Sequence, residues 1–435
     1  MTTADTHIIN RIGCLHLCAF VASLPFDRFY SELILISYSL YVLVNMREKR
    51  LLFLLTKELL ITSSLFLLAL AGMCYSPYPE EAKNDIGKQM ALILFPFLFA
   101  LGHLNLKKYY GIILYSLPLS CTAVILYLYL HTFRIMIYYQ LPIKKLLSVS
   151  FINHNFSAPL EMHATMLSMY VALSIFVLLD NLYKKRSRKL LHVTGIIILC
   201  AGLVQLGSKS VIISTLIIAN LIFPLMARLK RKHLFIIASI LLSTATLFEV
   251  ARLDSLRDRF ITSLHDDLTQ SSINNEIIEP RIKRWEIATS LIKGAPVWGY
   301  GTGSEIPTLK TAYFKNKLYN AYLKEMNTHN EYLSLALKYG IAGVMVYLFV
   351  LGFGIFVAYH QRNFIFLSFL VIVIVVSTAE NLLDVNKGIF FFSFFYNFFI
   401  FHQAKAQATS LPESIRFNKQ PVFLNPRSNM KETMH

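Results

Sequence analysis

Long apolar segments separated by short polar segments make up most of the chain. A membrane-spanning helix needs about 20 mainly apolar residues, and many of these segments have about that length. The runs are 8–25, 29–46, 57–75, 88–105, 109–132, 159–180, 190–207, 210–227, 233–250, 331–357, 363–379 and 387–402. The pattern predicts an all-α polytopic membrane protein with about twelve transmembrane helices.

The composition supports this class of protein. Hydrophobic residues make up 55% of the chain and charged residues 15%, whereas soluble domains carry about 25% charged residues. The mean hydropathy is +0.52. These values exclude a disordered chain and a small disulfide-linked scaffold and argue against a soluble enzyme. The five cysteines form no CxxC pair, so we predict neither a disulfide framework nor a metal site.

The positive charge predicts the orientation in the membrane. A net charge of +17 would suit a nucleic-acid partner if it formed one patch, but it is spread over alternate short loops. Loops rich in Lys and Arg face the cytoplasm, so we predict that both termini are cytoplasmic and that the charge reports topology, not nucleic-acid binding. The residues concerned are Arg47, Lys49, Arg50, Lys107, Lys108, Lys184, Lys185, Arg186, Arg188, Lys189, Arg228, Lys230, Arg231, Lys232 and Arg362.

One polar segment, 251–330, is much longer than the others. It contains eleven Lys and Arg, nine Asp and Glu, and both tryptophans. The predicted orientation places it outside the cytoplasm, and loops of this length are usually functional. We therefore divide the chain into helices one to nine (1–250), this outer loop (251–330), helices ten to twelve (331–402) and a polar cytoplasmic tail (403–435).

The outer loop contains two arginines on one face of a predicted helix. Pro280 is typical of a first helical position, and the helix should run to about Lys293. Arg281 and Arg284 are spaced i, i+3 and therefore share a face. Two guanidinium groups there would suit a phosphate or diphosphate, which arginine binds with two parallel hydrogen bonds. The same spacing also fits a solvated face with salt bridges to Glu286.

Three glycines, Gly299, Gly301 and Gly303, alternate in the same loop. They do not follow a strand of a βαβ unit, so they do not indicate dinucleotide binding. A flexible turn, or a close approach of the backbone near a substrate, remains the alternative.

His329 lies at the start of the tenth apolar run, in the sequence Thr328-His329-Asn330. A histidine at the mouth of a span, at the outer surface, is a candidate general base. A histidine at a helix start can equally be a cap or an interfacial residue. His and Cys do not occur near it at metal-ligand spacing, so we predict no metal there.

Other polar residues lie at the predicted outer ends of spans. Lys209 lies in the turn directly before the eighth run, where its charge opposes the helix dipole; it either extends to the interface or binds an anionic lipid head group. Glu380 and Asp384 are spaced i, i+4 and would share a helical face, for acid–base work or for pairing with a cation. His154 and Asn155 form a fainter cluster of the same kind.

The predicted topology brings several of these residues from distant parts of the sequence to one face of the membrane. Charged groups near a membrane are costly and usually functional. Their convergence suggests a site for an anionic, lipid-linked substrate. The residues are Lys209, Arg281, Arg284, His329 and Glu380.

A family resemblance rests on the residues that follow this histidine. His329-Asn330, nine intervening residues, Gly340, two further residues and Gly343 match a pattern of O-antigen ligases. Pro280-Arg281 with Arg284-Trp285, the glycine run, and the layout of twelve spans with one large loop add to the match. The chain thus resembles the O-antigen ligase/polymerase group of bacterial envelope proteins.

The resemblance implies a GT-C-like integral-membrane glycosyltransferase of the bacterial inner membrane, with the large loop in the periplasm. Such ligases act in lipopolysaccharide biosynthesis and transfer O-polysaccharide from undecaprenyl diphosphate to lipid A–core. They use neither a metal nor another cofactor. Direct displacement of the diphosphate predicts inversion at the anomeric carbon.

The resemblance also implies roles for residues by position. His329 would activate the acceptor hydroxyl or steady the donor, and Arg281 would hold the diphosphate. Lys209 stands where the family usually has an arginine, and it keeps the charge but loses the two-pronged geometry. The other implied contacts to substrate are Arg284, Asn330 and Glu380.

Two alternative functions differ in what they predict. An O-antigen polymerase uses the same donor with a lipid-linked acceptor, and the His329 motif favours the ligase. A flippase or transporter of lipid-linked oligosaccharide tends to have charges along a midplane pathway and repeated halves. Here the polar clusters lie at one face and no repeat is visible, which argues against transport.

Overall fold

The structure of the chain, a computed structural model, describes residues 3–46, 56–184, 188–227, parts of 233–244, 271–273, 276–278 and 280–410. It is almost entirely helical. In chain order the helices are α1 (Thr3–Ser23), α2 (Arg28–Val44), α3 (Lys57–Met73), α4 (Pro79–Gln89), α5 (Ala91–Leu101), α6 (Leu106–Tyr138), α7 (His154–Ser157), α8 (Ala164–Tyr183), α9 (Lys189–Leu206), α10 (Lys209–Ile217), α11 (Phe223–Met226), α12 (Arg281–Gly294), α13 (Glu305–Lys315), α14 (Tyr319–Leu323), α15 (Glu331–His360), α16 (Phe364–Val376) and α17 (Asn386–Ser410).

Shorter elements complete the description. Two strands, β1 (Ser271–Ile273) and β2 (Glu276–Ile278), pair in antiparallel register in the outer loop. A π-helical turn joins α10 to α11 just before Pro224, which cannot donate a backbone hydrogen bond. The 3₁₀ segments are Ile143–Leu147, Val149–Phe151, Ala158–Leu160 and Leu382–Asp384.

Each predicted apolar run except the ninth coincides with a helix or a pair of helices. A polytopic, helical membrane protein is therefore confirmed, while the number twelve and the location of the large loop stay predictions. Among the described residues, six helical stretches are long and apolar enough to cross a membrane by length and composition. They are Pro79–Leu101, Leu106–Tyr138, Ala164–Tyr183, Lys189–Leu206, Lys209–Met226 and Glu331–His360.

Several predictions concern residues outside the described ranges. They are most of the ninth run (233–250), the start of the outer loop (251–270), most of the tail (411–435), and the loop cations Arg47, Lys49, Arg50, Lys185, Arg186, Arg228, Lys230, Arg231 and Lys232.

The centre of the helical body is formed by α17 and α8. Helix α17 contacts α3, α5, α6, α8, α15 and α16. Its phenylalanines are fully buried and stack on one another and on their neighbours, as Phe394 does with Phe95 and Phe398. Offset and edge-on aromatic contacts of this kind add stability beyond burial. This packing holds the start of α17 in place. The polar site includes residues 377–385, which directly precede that start.

Helix α15 is broken at Gly340, whose φ of 62° and ψ of −156° are not helical. The outer-loop segment 296–301 lies against the break and bonds the backbone groups that the break exposes. Buried backbone groups need such partners. These bonds run from Tyr300 N to Leu337 O (2.9 Å), from Gly301 N to Lys338 O (2.7 Å) and from Ile341 N to Pro296 O (2.8 Å).

The glycine run is packed between backbones. Gly299, Gly301 and Gly303 all have positive φ. A Cβ on Gly299 would lie 2.5 Å from the Leu337 carbonyl oxygen, and one on Gly303 would lie 2.4 Å from the Ala82 nitrogen. The predicted flexible turn is therefore wrong. The predicted close approach of backbone occurs, but to the protein's own helices. The three glycines pack between α4 and α15.

Candidate functional site

The turn before α15 presents His329. Asn330 is the N-cap of α15, and its side chain accepts a hydrogen bond from the Leu333 N–H (3.2 Å). This bond satisfies one of the helix's exposed donors. His329 precedes the cap with a φ of 46°, and its own N–H donates to the Asn327 side chain (3.0 Å). The cap is thus Asn330, and the His329 imidazole projects from the turn.

His329 pairs with Glu380, which follows the end of α16. Its Nδ1 lies 3.3 Å from Glu380 Oε2, and the Thr165 hydroxyl donates to Oε1 of the same carboxylate (3.2 Å). The His329 side chain is 33% exposed and that of Glu380 16% exposed. The Nε2 atom of His329 makes no hydrogen bond within the described ranges.

Glu380 remains ionised in this setting. Burial alone would raise the pKa of the Glu380 carboxyl, but the hydrogen bond with His329 and the nearby charges of His163 and Arg281 outweigh it. The net effect is a pKa below the ordinary value. An ionised carboxylate on Nδ1 orients a histidine and stabilises the imidazolium that forms when Nε2 takes a proton.

Arg281 joins this pair from the outer loop. Arg281 is the first residue of α12, because Pro280 is the N-cap and not the first helical residue that was predicted. The Arg281 Nη1 donates to the Ala379 carbonyl (3.4 Å), directly before Glu380. The guanidinium also contributes to the electrostatic field at Glu380. The structure therefore brings His329, Glu380 and Arg281 together from three separate segments.

Arg284 has a different environment from Arg281. It is 6% exposed, and its Nη1 donates to the Asn327 carbonyl (3.4 Å). The neighbouring Trp285 indole donates to the Thr328 carbonyl (2.8 Å). The face shared by the two arginines is not a solvated face, because it packs on the turn that carries His329. Arg284 supports that turn.

Sequence analysis missed His163, which lies directly before α8 and outside the span as the structure defines it. Its ring centroid is 4.4 Å from that of His154, in an edge-to-face arrangement. Burial lowers the pKa of His163, and the Glu380 carboxylate partly opposes this effect. The predicted run 159–180 enclosed His163, and a boundary four residues later would have placed it at a span mouth, as His329 is.

A second polar cluster lies behind the turn, centred on Lys338. The Lys338 ammonium, 1% exposed, is 2.6 Å from Asp384 Oδ1 and 3.8 Å from Glu305 Oε2. Burial and the nearby Asp384 raise the pKa of Glu305. Burial would also raise the pKa of Asp384, but Lys338 reverses the direction and lowers it.

The predicted pairing of Glu380 and Asp384 on one helical face is wrong. Asp384 ends a 3₁₀ segment (Leu382–Asp384), and Glu380 precedes that segment. Glu380 pairs with His329, whereas Asp384 pairs with Lys338. Each carboxylate therefore has a separate partner.

Lys209 lies at the same end of the helical body. It begins α10, four residues after Gln205, whose side chain bonds the Leu146 and Phe151 carbonyls (2.8 and 2.6 Å). The segment that includes Phe151 continues to His154 and thus to His163 beside Glu380.

A polar cavity of about 310 Å³ adjoins the back of the turn. Its lining includes Asn327, Glu305 and Asp384, together with Glu81 and Asp85 of α4. Among the residues that the structure describes, no group of three His, Cys, Asp or Glu side chains is arranged to hold a metal ion.

The fold and these contacts define a polytopic membrane protein with a histidine, a carboxylate and an arginine clustered where helices meet the outer loop. Residues 194–348 match the family model described as O-antigen ligase. This match supports the resemblance to the O-antigen ligase/polymerase group that the motif at His329 indicated. The matched segment includes Lys209, Arg281 and His329 but ends before Glu380. No curated protein matches the chain.

Proposed function

We propose that the protein is an O-antigen ligase, which transfers O-polysaccharide from undecaprenyl diphosphate to a sugar of lipid A–core at the periplasmic face of the inner membrane. The observation that carries the proposal is the His329–Glu380 pair beside Arg281, next to the family motif. The family covers ligases and polymerases alike, and the histidine motif favours the ligase.

The proposed reaction is a single displacement. The acceptor hydroxyl of the core sugar gives its proton to Nε2 of His329, and its oxygen bonds to the anomeric carbon of the donor sugar. The bond from that carbon to the diphosphate oxygen breaks at the same time, and the electron pair leaves with the diphosphate. Glu380 stabilises the imidazolium that results.

Arg281 is the proposed electrostatic partner of the leaving group. Arginine binds phosphate oxygens with two parallel, charge-assisted hydrogen bonds, and fixed cations aimed at developing charge are an effective source of rate enhancement. Lys209 adds a point charge on the same surface. With cations supplied by side chains, the proposed reaction needs no metal, and the single displacement inverts the anomeric configuration.

The test is transfer in vitro from undecaprenyl-diphosphate-linked glycan to purified lipid A–core, with and without a chelator. Arg281→Ala and His329→Ala should each lower the rate at least about 100-fold, the range typical of general acid–base and electrostatic groups. Matched controls are Arg134→Ala and His131→Ala, both in α6 and outside the cluster. Full activity in both site variants would refute the proposed site, and loss of activity in chelator would refute the metal-free reaction.

A deletion strain separates the ligase from the polymerase. Without a ligase, long O-polysaccharide chains remain on undecaprenyl diphosphate. Without a polymerase, lipopolysaccharide carries a single repeat unit, and that outcome would assign the chain to the polymerase branch of its family.

A further inference from the structure

Asn381 follows Glu380 in the chain and is 2% exposed. Its amide bonds three separate segments. The nitrogen donates to both carboxylate oxygens of Glu305 (3.0 and 3.1 Å) and to Asp384 (2.9 Å). The oxygen accepts from the Asn330 N–H (2.8 Å) and lies 3.2 Å from the Thr328 hydroxyl, whose single proton it shares with Glu305.

These bonds connect the two members of the His329–Glu380 pair. Thr328 and Asn330 flank His329 on either side, and Asn381 is covalently attached to Glu380. The backbone of His329 has a positive φ, which a residue with a Cβ adopts only where its surroundings hold it. The Asn381 oxygen bonds both neighbours of that strained residue.

The nitrogen of the same amide connects the pair to the outer loop. Glu305 begins α13, and its carboxylate also accepts from the Thr328 N–H (3.0 Å) and hydroxyl (2.9 Å). A primary amide supplies two donors and an acceptor at once. A carboxylate at position 381 would supply acceptors only and would face Glu305 and Asp384, whereas an alkyl group would supply neither.

We propose that Asn381 is a positioning residue that sets the distance between His329 and Glu380 and makes this distance depend on the docking of Glu305. The proposal rests on the proposed function for its activity assay. Its role is indirect, since Asn381 is buried and acts through Thr328, Asn330 and the attached Glu380.

The test compares kcat and KM for four variants of the full-length protein: Asn381→Ala, Asn381→Asp, Glu305→Gln and the double variant Asn381→Asp with Glu305→Gln. Loss of a supporting hydrogen-bond partner typically costs about 10–100-fold in activity. We expect Asn381→Ala to lower kcat by about that factor with KM changed less than about threefold, because the substrate contacts remain.

The double variant distinguishes positioning from a general effect on folding. It exchanges donor and acceptor across the Asn381–Glu305 contact and keeps the net charge of the cluster, so it should recover at least about tenfold of the kcat lost in Asn381→Asp. The matched control is Asn386→Ala, in the same region but bonded to Glu32 (3.3 Å), which should leave kcat within about twofold.

A second measurement needs no activity. The rate at which diethylpyrocarbonate modifies His329, followed by mass spectrometry, should rise several-fold in Asn381→Ala and stay unchanged in Asn386→Ala. Wild-type kcat in a folded Asn381→Ala protein, no recovery in a folded double variant, or an unchanged labelling rate would each overturn the positioning role. If labelling is faster in Asn381→Ala while the wild-type protein transfers no glycan, only the ligase proposal is overturned.

Discussion

Replacement of Gly340 by alanine tests how the outer loop is held on α15. Gly340 has a backbone conformation that is nearly restricted to glycine, with φ 62° and ψ −156°. A Cβ there would lie 2.3 Å from the carbonyl carbon and oxygen of Val297. The obstacle is backbone, so the segment 296–301 has to move away from the helix.

The cost follows from two contributions. The strained backbone contributes about 1–3 kcal/mol. Displacement of the segment removes three backbone hydrogen bonds, each worth about 1 kcal/mol net: Tyr300 to Leu337, Gly301 to Lys338 and Ile341 to Pro296. The total is about 4–6 kcal/mol, which corresponds to a fall in Tm of roughly 4–7 °C in a chain of this size.

Tryptophan fluorescence of the purified protein in detergent is the assay. Both tryptophans, Trp285 and Trp298, lie in the outer loop, and Trp298 is in the segment that must move. The matched control is Gly352→Ala in the same helix, where a Cβ meets nothing within 4 Å and alanine is the better helix former. If Gly340→Ala and Gly352→Ala melt within about 2 °C of each other, the account of the helix break is wrong.

Three further predictions concern charges. Lys338→Met leaves Asp384 and Glu305 buried without their cation and should destabilise the protein by about 3–5 kcal/mol, measured as a lower melting temperature that a second substitution, Asp384→Asn, partly restores. Because the pKa of Glu380 is lowered from its ordinary value of 4.5, the ionised carboxylate stabilises the fold above that pH and loses this effect as the pH falls through the lower folded value. The difference in Tm between wild type and Glu380→Gln should therefore shrink as the pH falls below about 4.5. Lys209→Arg restores two-pronged geometry toward phosphate oxygens and should lower KM for the lipid-linked donor, whereas Lys209→Ala should raise it, both read from initial rates of transfer.

The sequence was enough to predict the helices because apolar runs of span length leave few alternatives. The start of α12 was predictable to within one residue, since Pro280 directly precedes it as the N-cap. The break in α15 was not, because Gly340 lies inside an uninterrupted apolar run and only the opposing backbone of Val297 explains it. The pattern of apolar residues predicts the helix, but it does not predict that the segment 296–301 packs against it.

The site was predictable only in part, because topology places residues on a surface but does not give the path of the loop that packs on them. The predicted topology alone placed His329, Glu380 and Arg281 on one surface. In the structure His329 bonds Glu380, and Arg281 bonds the carbonyl of Ala379, which precedes Glu380. The predicted topology could not show that Arg284 is buried against the turn that carries His329, since its orientation depends on the path of the loop. Lys338 did carry a signal: a lysine within an apolar span is costly unless it is paired, so it called for acidic partners such as Asp384.

The spacing of the family motif has a structural explanation in this fold. Asn330 caps the start of α15 and Gly340 breaks the helix, so the nine intervening residues form a helical segment about 14 Å long that is held at both ends by the outer loop. At one end Glu305 bonds Thr328, and at the other the segment 296–301 bonds the broken helix. Gly343 lies just beyond, where a Cβ would be 2.6 Å from that of Tyr339. The glycines of the motif therefore fix the length and docking of the segment that carries His329, and a one-residue insertion between Asn330 and Gly340 should displace the histidine from Glu380 even though every side chain of the site is retained.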